Sequence, residues 1–84
     1  MGNLTEYMDA AMRDAEYEQL ASGEGYAGTI PELDGVIGYA KSLESCRLDL
    51  REALEGWIMV SFQHRFPVPP KYGIDLGVIQ PETL

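Results

Sequence analysis

The chain has 84 residues, which is room for one domain with a thin core. Hydrophobic residues make up 45% and charged residues 24%, the composition of a folded globular protein rather than of a disordered chain. Fourteen acidic residues oppose six basic ones, so the formal net charge is −8. Phosphate backbones repel a chain of this charge, and we therefore expect no direct binding of nucleic acid.

The sequence carries no mark of secretion or of membrane insertion. It does not start with basic residues followed by an apolar stretch, and its longest apolar run, residues 57–60, is far shorter than the ~20 residues that span a bilayer. Its one cysteine, Cys46, excludes an intramolecular disulfide and a thiolate metal cluster. We expect a cytoplasmic protein that uses no cofactor and does not associate with membranes.

The first predicted element is a helix over residues 4–15. Its apolar residues recur at steps of three and four, which places them on one helix face. Asn3 is predicted to cap the helix, with Glu6 reaching back to it as in a capping box. The residues of the apolar face are Leu4, Tyr7, Met8, Ala11, Met12 and Ala15.

A three-stranded antiparallel meander is predicted over residues 16–40. A short glycine-rich turn separates the first two strands, and Gly28 within the second suggests either a bulge or a close approach by another segment. Pro31 cannot donate a hydrogen bond to a strand ladder, and Gly35 can adopt the positive φ of a tight turn, so the second strand should end there. The predicted strands span residues 16–22, 26–30 and 36–40.

The longest predicted helix covers residues 42–64, with Ser42 as its N-cap. Its apolar stripe consists of Leu43, Cys46, Leu50, Ala53, Leu54, Trp57 and Ser61. Beyond Gly56 the apolar residues point all round the helix, so this end needs cover from more than one side. We therefore predict a homo-oligomer, a dimer or a tetramer. Its predicted interface residues are Trp57, Ile58, Phe62 and Phe66.

A proline-rich linker is predicted over residues 66–73, followed by a short strand over residues 74–79. This strand could pair within its own chain or extend the sheet of a neighbour. The sequence thus predicts a single α+β domain over residues 1–84. It consists of a helix, a three-stranded antiparallel meander, a long helix packed on the sheet and a short C-terminal strand.

Residues 25–36 read GYAGTIPELDGV, which resembles the Gly-Tyr-x-Ala-x-(Val/Ile)-Pro-(Glu/Asp)-Leu-Pro-Gly signature of the HicB-like antitoxin family. Asp34 stands where the family often has proline. Residues 41–44 (KSLE) and 50–57 (LREALEGW) resemble the helix that follows this signature in the family. The resemblance covers about residues 15–70. Many members carry a C-terminal DNA-binding domain, and we expect none in this chain, so we do not expect it to bind a promoter.

The resemblance implies a partial ribonuclease H-like fold, β-β-β-α-β, that has lost catalysis. It also implies a role in binding and occluding a small, basic, messenger-RNA-cleaving toxin of the HicA type. An acidic inhibitor gains association rate when it meets a basic nuclease, so the charge favours the same partner. The residues that we assign to an acidic partner-binding face are Glu16, Glu18, Glu32 and Asp34.

Two alternatives remain open. The first is a stand-alone oligomeric module of the same fold that binds another protein or a small ligand. The second is a magnesium-dependent nuclease, because Glu16 and Glu18 share a strand face and could hold Mg²⁺ together with Glu52 or Asp75. Nothing in the sequence fixes these acids together, and His64, the lone histidine, suits a helix C-terminus. We expect a protein that is not an enzyme.

Overall fold

The computed structural model describes residues 4–70 and has an α+β fold. The helices are α1 (Leu4–Arg13) and α2 (Leu43–His64), and the strands are β1 (Glu16–Gln19), β2 (Tyr26–Thr29) and β3 (Ile37–Ala40). A short 3-10 turn at Ala21–Gly23 links β1 to β2. The predicted α+β class with a three-stranded antiparallel sheet is confirmed. The predicted Asn3 cap, the end of the predicted linker and the strand predicted at 74–79 lie outside the described residues.

The sheet is an antiparallel meander in the order β1-β2-β3. Its register places Tyr17 opposite Gly28, and Gly28 opposite Gly38. Residues directly opposite each other in a sheet project to the same face, so one row across the sheet contains a tyrosine and two glycines. This row faces α2.

Because the two glycines have no side chain, α2 can lie directly on the sheet. A Cβ atom added at Gly38 would lie 2.6 Å from the Cα and the backbone nitrogen of Leu50. At Gly28 it would lie 3.2 Å from a Leu50 methyl carbon and 3.0 Å from the Tyr17 ring. The close approach predicted at Gly28 is therefore present, and it is tighter at Gly38, which the sequence did not single out.

The core lies between the sheet, α1 and one face of α2. Buried residues recur along α2 in steps of four and then three, as a face toward the core requires. These residues are Cys46, Leu50, Leu54, Ile58 and Ser61. Three members of the predicted stripe differ, because Leu43 is about half exposed and Ala53 and Trp57 are only partly buried. Ile58, predicted as an oligomer contact, is instead fully buried in its own chain.

The loop between β2 and β3 is part of the core. Every third residue of this loop is buried, namely Ile30, Leu33 and Val36. Two consecutive four-residue turns connect these residues, and a backbone hydrogen bond closes each turn. The Leu33 N–H donates to the Ile30 carbonyl (3.1 Å), and the Val36 N–H donates to the Leu33 carbonyl (3.2 Å). A turn of type II, unlike the commoner type I, has a positive φ at its third position. Glu32 and Gly35 supply it, with φ of 72° and 92°.

The chain after α2 returns to α1. Val68 is buried in the core, and the Tyr7 hydroxyl donates a hydrogen bond to the Pro69 carbonyl. Burial, and secondly the negative charge of Glu32, raise the pKa of Tyr7 to about 12. The tyrosine therefore stays protonated as a donor and ties this segment to α1.

We predict that Gly38→Ala destabilises the protein by about 2–3 kcal/mol, because its new Cβ would overlap the α2 backbone, which cannot rotate away. Gly56→Ala is the matched control. Gly56 is an exposed residue of α2 with no atom within 4 Å of an added Cβ, and alanine there should stabilise the helix by about 0.5–1 kcal/mol. Urea unfolding of both variants measures the difference. Equal stability of the two variants would contradict the proposed close packing.

A candidate protein-binding face on the open side of the sheet

The sheet face that points away from α2 is not covered by any described element. Side chains alternate between the two faces of a strand, so the residues on this side follow from the register. β1 is exposed along its whole length, and Ile37 and Tyr39 of β3 are 59% and 50% exposed. We call this surface the open sheet face. It consists of Glu16, Glu18, Ala27, Thr29, Ile37 and Tyr39.

The open sheet face has an acidic side and an apolar side. Its two cross-strand rows each begin with a glutamate on β1 and end with a large apolar residue on β3. The Tyr39 hydroxyl donates a hydrogen bond to the Glu24 carbonyl (2.7 Å), which holds the tyrosine ring in place. Exposed aromatic and aliphatic residues beside charged ones are typical of protein-binding surfaces. The rows are Glu16–Thr29–Ile37 and Glu18–Ala27–Tyr39.

The structure brings together only two of the four acids assigned to the partner-binding face. Glu16 and Glu18 lie on the open sheet face, two residues apart on β1. Glu32 and Asp34 are exposed in the β2–β3 loop. Glu32 is close enough to Tyr7 to raise its pKa, so it lies toward α1. The acidic part of the open sheet face is therefore the β1 pair.

The outer edge of β3 is occupied by an acid of α2. The backbone N–H of Leu20 donates a hydrogen bond to the Gly25 carbonyl (2.8 Å), so every second residue of β2 from Gly25 onward, including Ala27, directs its backbone groups toward β1. Tyr39, which lies opposite Ala27, therefore directs its backbone N–H away from β2, toward the outer edge of the sheet. The carboxylate of Asp49 accepts that N–H at 2.8 Å. An occupied edge resists pairing with a further strand. A partner at this side therefore meets side chains rather than a free strand edge.

The residues predicted as an oligomer interface have different environments. Trp57 and Phe62 are partly buried and pack against the core, while Ile58 belongs to the core itself. Phe66 is 55% exposed, and its ring stacks on His64 with the centroids 5.4 Å apart. Only Phe66 of the four is mainly at the surface.

Two further apolar residues are exposed near the end of α2. Met59 and Val60 are each about half exposed and directly follow the buried Ile58. Both residues lie outside the buried face of α2, so periodicity identifies them as exposed once Ile58 is placed in the core. We call Met59, Val60 and Phe66 the terminal apolar patch.

The acids proposed for a magnesium site do not converge in the described part of the chain. Glu52 is exposed on α2, so the sheet separates it from Glu16 and Glu18, and Asp75 lies outside the described residues. Within residues 4–70, no group of three or more His, Cys, Asp or Glu side chains could hold a metal ion. Over the same residues, no helix combines the length and the apolar character needed to cross a membrane.

The fold and the open sheet face define a small α+β protein built from two helices and a three-stranded antiparallel sheet. A family model described as UPF0150-like matches residues 6–69, and the chain belongs to this family, which is of the HicB-like, antitoxin type. The crystal structure of TTHA0281 from Thermus thermophilus is similar, with 38% sequence identity and a TM-score of 0.84. The similarity covers 95% of this chain and 99% of that chain. No curated protein matches.

We expect Asp49→Ala to promote self-association, because the Tyr39 N–H at the edge of β3 would lose its acceptor and become available to another strand. Loss of this hydrogen bond should also lower the free energy of unfolding by about 1 kcal/mol. Glu55→Ala removes the same charge from an exposed position of the same helix and is the control. Light scattering of both variants during storage measures self-association. If the two variants stay equally monodisperse, Asp49 does not protect the edge of β3.

Proposed function

We propose that this chain is a non-catalytic, HicB-like antitoxin that acts in the cytoplasm by sequestering a small basic toxin of the HicA type, which cleaves messenger RNA. The open sheet face is the surface that would cover the toxin. Membership in a family of antitoxin type supports the class of function. The surface chemistry of the described residues supports the kind of partner.

The observation that carries the proposal is the combination of acids and exposed apolar residues on one uncovered sheet face. Burying Ile37 and Tyr39 against a partner would provide the apolar centre that stable protein contacts need. Glu16 and Glu18 lie at the edge of the same face, where charges steer the encounter and select a partner of opposite sign. A basic nuclease has that sign.

The charge of the whole chain acts in the same direction. A net charge of −8 on 84 residues attracts a cationic protein at distances of about 10 Å at moderate salt. Such steering raises the association rate and weakens as ionic strength rises. An antitoxin needs a high association rate, because it must capture the toxin before the toxin reaches RNA.

We further propose that the protein is a homo-oligomer, a dimer or a tetramer, assembled through the terminal apolar patch with Trp57 and Phe62 beside it. The patch supports this arrangement, because large apolar residues that are exposed near one end of a helix favour burial against another subunit. The same surface supports the alternative of a stand-alone oligomeric module without a toxin. The neighbouring gene distinguishes the two functions, since a toxin partner requires an adjacent frame that encodes a small basic protein.

We predict that the double variant Glu16→Lys/Glu18→Lys slows association with the purified basic protein encoded by the neighbouring gene at least tenfold at low salt. Glu52→Lys/Glu55→Lys makes the same change in net charge on α2, on the other side of the sheet, and should have a much smaller effect. Stopped-flow mixing at several salt concentrations measures both rates. If the wild type does not bind that protein, or if both double variants slow binding equally, the proposed face is wrong.

We predict that Met59→Glu and Val60→Glu each reduce the mass of the wild-type oligomer toward that of the monomer, because a buried carboxylate opposes subunit contact. Leu48→Glu, at an exposed leucine elsewhere on α2, should leave the assembly unchanged. Sedimentation equilibrium measures the masses. A monomeric wild-type protein would rule out the proposed oligomer.

A further inference from the structure

A groove lies on the helix side of the sheet, away from the open sheet face. It runs between α1 and the first turns of α2, beside Tyr17 of β1, and has a volume of about 880 Å³. Small-molecule sites typically have ~300–1,000 Å³. Six of the residues that line the groove have the chemistry to hold a ligand, and they are Met12, Arg13, Tyr17, Leu43, Arg47 and Arg51.

The groove concentrates positive charge in a strongly acidic protein. Three of the six basic residues of the chain line it, against two acids, Asp9 and Glu44. Asp9 is already engaged, because its carboxylate lies 3.0 Å from the Arg51 guanidinium. Arg47 makes no ion pair with any residue in the described part of the chain. A cation in this position has donors available for an anion from outside.

The groove also has apolar walls. The Tyr17 ring is about one third exposed, Leu43 is about half exposed, and Met12 is partly buried between the helices. A smaller depression that shares four lining residues extends the groove to the exposed side chain of Leu48. Large apolar side chains beside arginines suit a ligand with an apolar body and an anionic group.

Arginine can grip such a group through two parallel hydrogen bonds. The guanidinium matches the planar geometry of a carboxylate and the oxygens of a phosphate, and such bidentate pairs are stronger than single contacts. Arg47 and Tyr17 line the same groove, and the charge of Arg47 is near enough to counteract the rise in the pKa of Tyr17 that burial causes. A head group at Arg47 would therefore have an aromatic ring beside it.

We propose that this groove binds a small amphiphilic anion, with its carboxylate or phosphate group on Arg47 and its aromatic or aliphatic body against Tyr17, Leu43 and Met12. The proposal is independent of the antitoxin function, because the sheet separates the groove from the open sheet face. The proposed toxin binding and the proposed anion binding can therefore be refuted separately.

The test is an NMR titration of the full chain with benzoate and with phenyl phosphate. At least one of them should shift the signals of Tyr17, Leu43 and Met12 saturably, and comparing the two identifies the preferred head group. Benzyl alcohol, which lacks the charge, and inorganic phosphate, which lacks the ring, should each bind at least tenfold more weakly. Equal binding of the neutral alcohol would overturn the role of the anionic group.

Arg47→Gln should weaken binding of the better anion at least tenfold. Arg65→Gln makes the same charge change at the far end of α2 and should leave binding unchanged. If neither anion binds the wild type, the proposal is wrong, whatever the reason that the groove does not accept them. Equal losses in the two variants would show that net charge, rather than this groove, is responsible.

Discussion

The position of α2 on the sheet depends on the contact between Leu50 and the cross-strand pair of Gly28 and Gly38. At Gly38 the helix backbone occupies the space that any other residue would need for its Cβ. This contact determines which face of the sheet is closed. The alternate residues of the three strands are consequently left on the outside, and they include both glutamates of β1 and both large apolar residues of β3. The residues on the open sheet face are therefore determined by two glycines that lie on the opposite face, against α2.

The same sheet separates two surfaces of opposite character. One side presents acids and apolar residues, and the other has a groove with three arginines. Three of the six basic residues of the chain line this one groove. The charge of the protein is therefore unevenly distributed as well as strongly negative overall. A cationic protein and a small anion would therefore be attracted to different sides of the molecule, and the two proposed binding events need not compete.

Much of the fold follows from local signals in the sequence. The α+β class, the antiparallel meander, the cap at Ser42 and the positive φ of Gly35 each rest on residues close together in the chain. The end of α2 is ambiguous in the sequence, because apolar residues surround it and periodicity alone does not choose between Trp57 and Ile58. The choice is made by Leu50, whose contact with the sheet places Leu54 and then Ile58 toward the core. Asp49 gave no signal, since its acceptor role at Tyr39 exists only after α2 has docked. The groove likewise needs α1, β1 and α2 to be in place.

The buried loop between β2 and β3 limits how the chain can change in length. Surface loops usually accept extra residues at small cost, since they carry few core contacts. Here Ile30, Leu33 and Val36 enter the core at a fixed spacing of three. One inserted residue would break that spacing and turn at least one of these side chains toward water. The exposed connection at Ala21–Gly23 has no such restriction, so a fusion tag or an engineered epitope is best accommodated there.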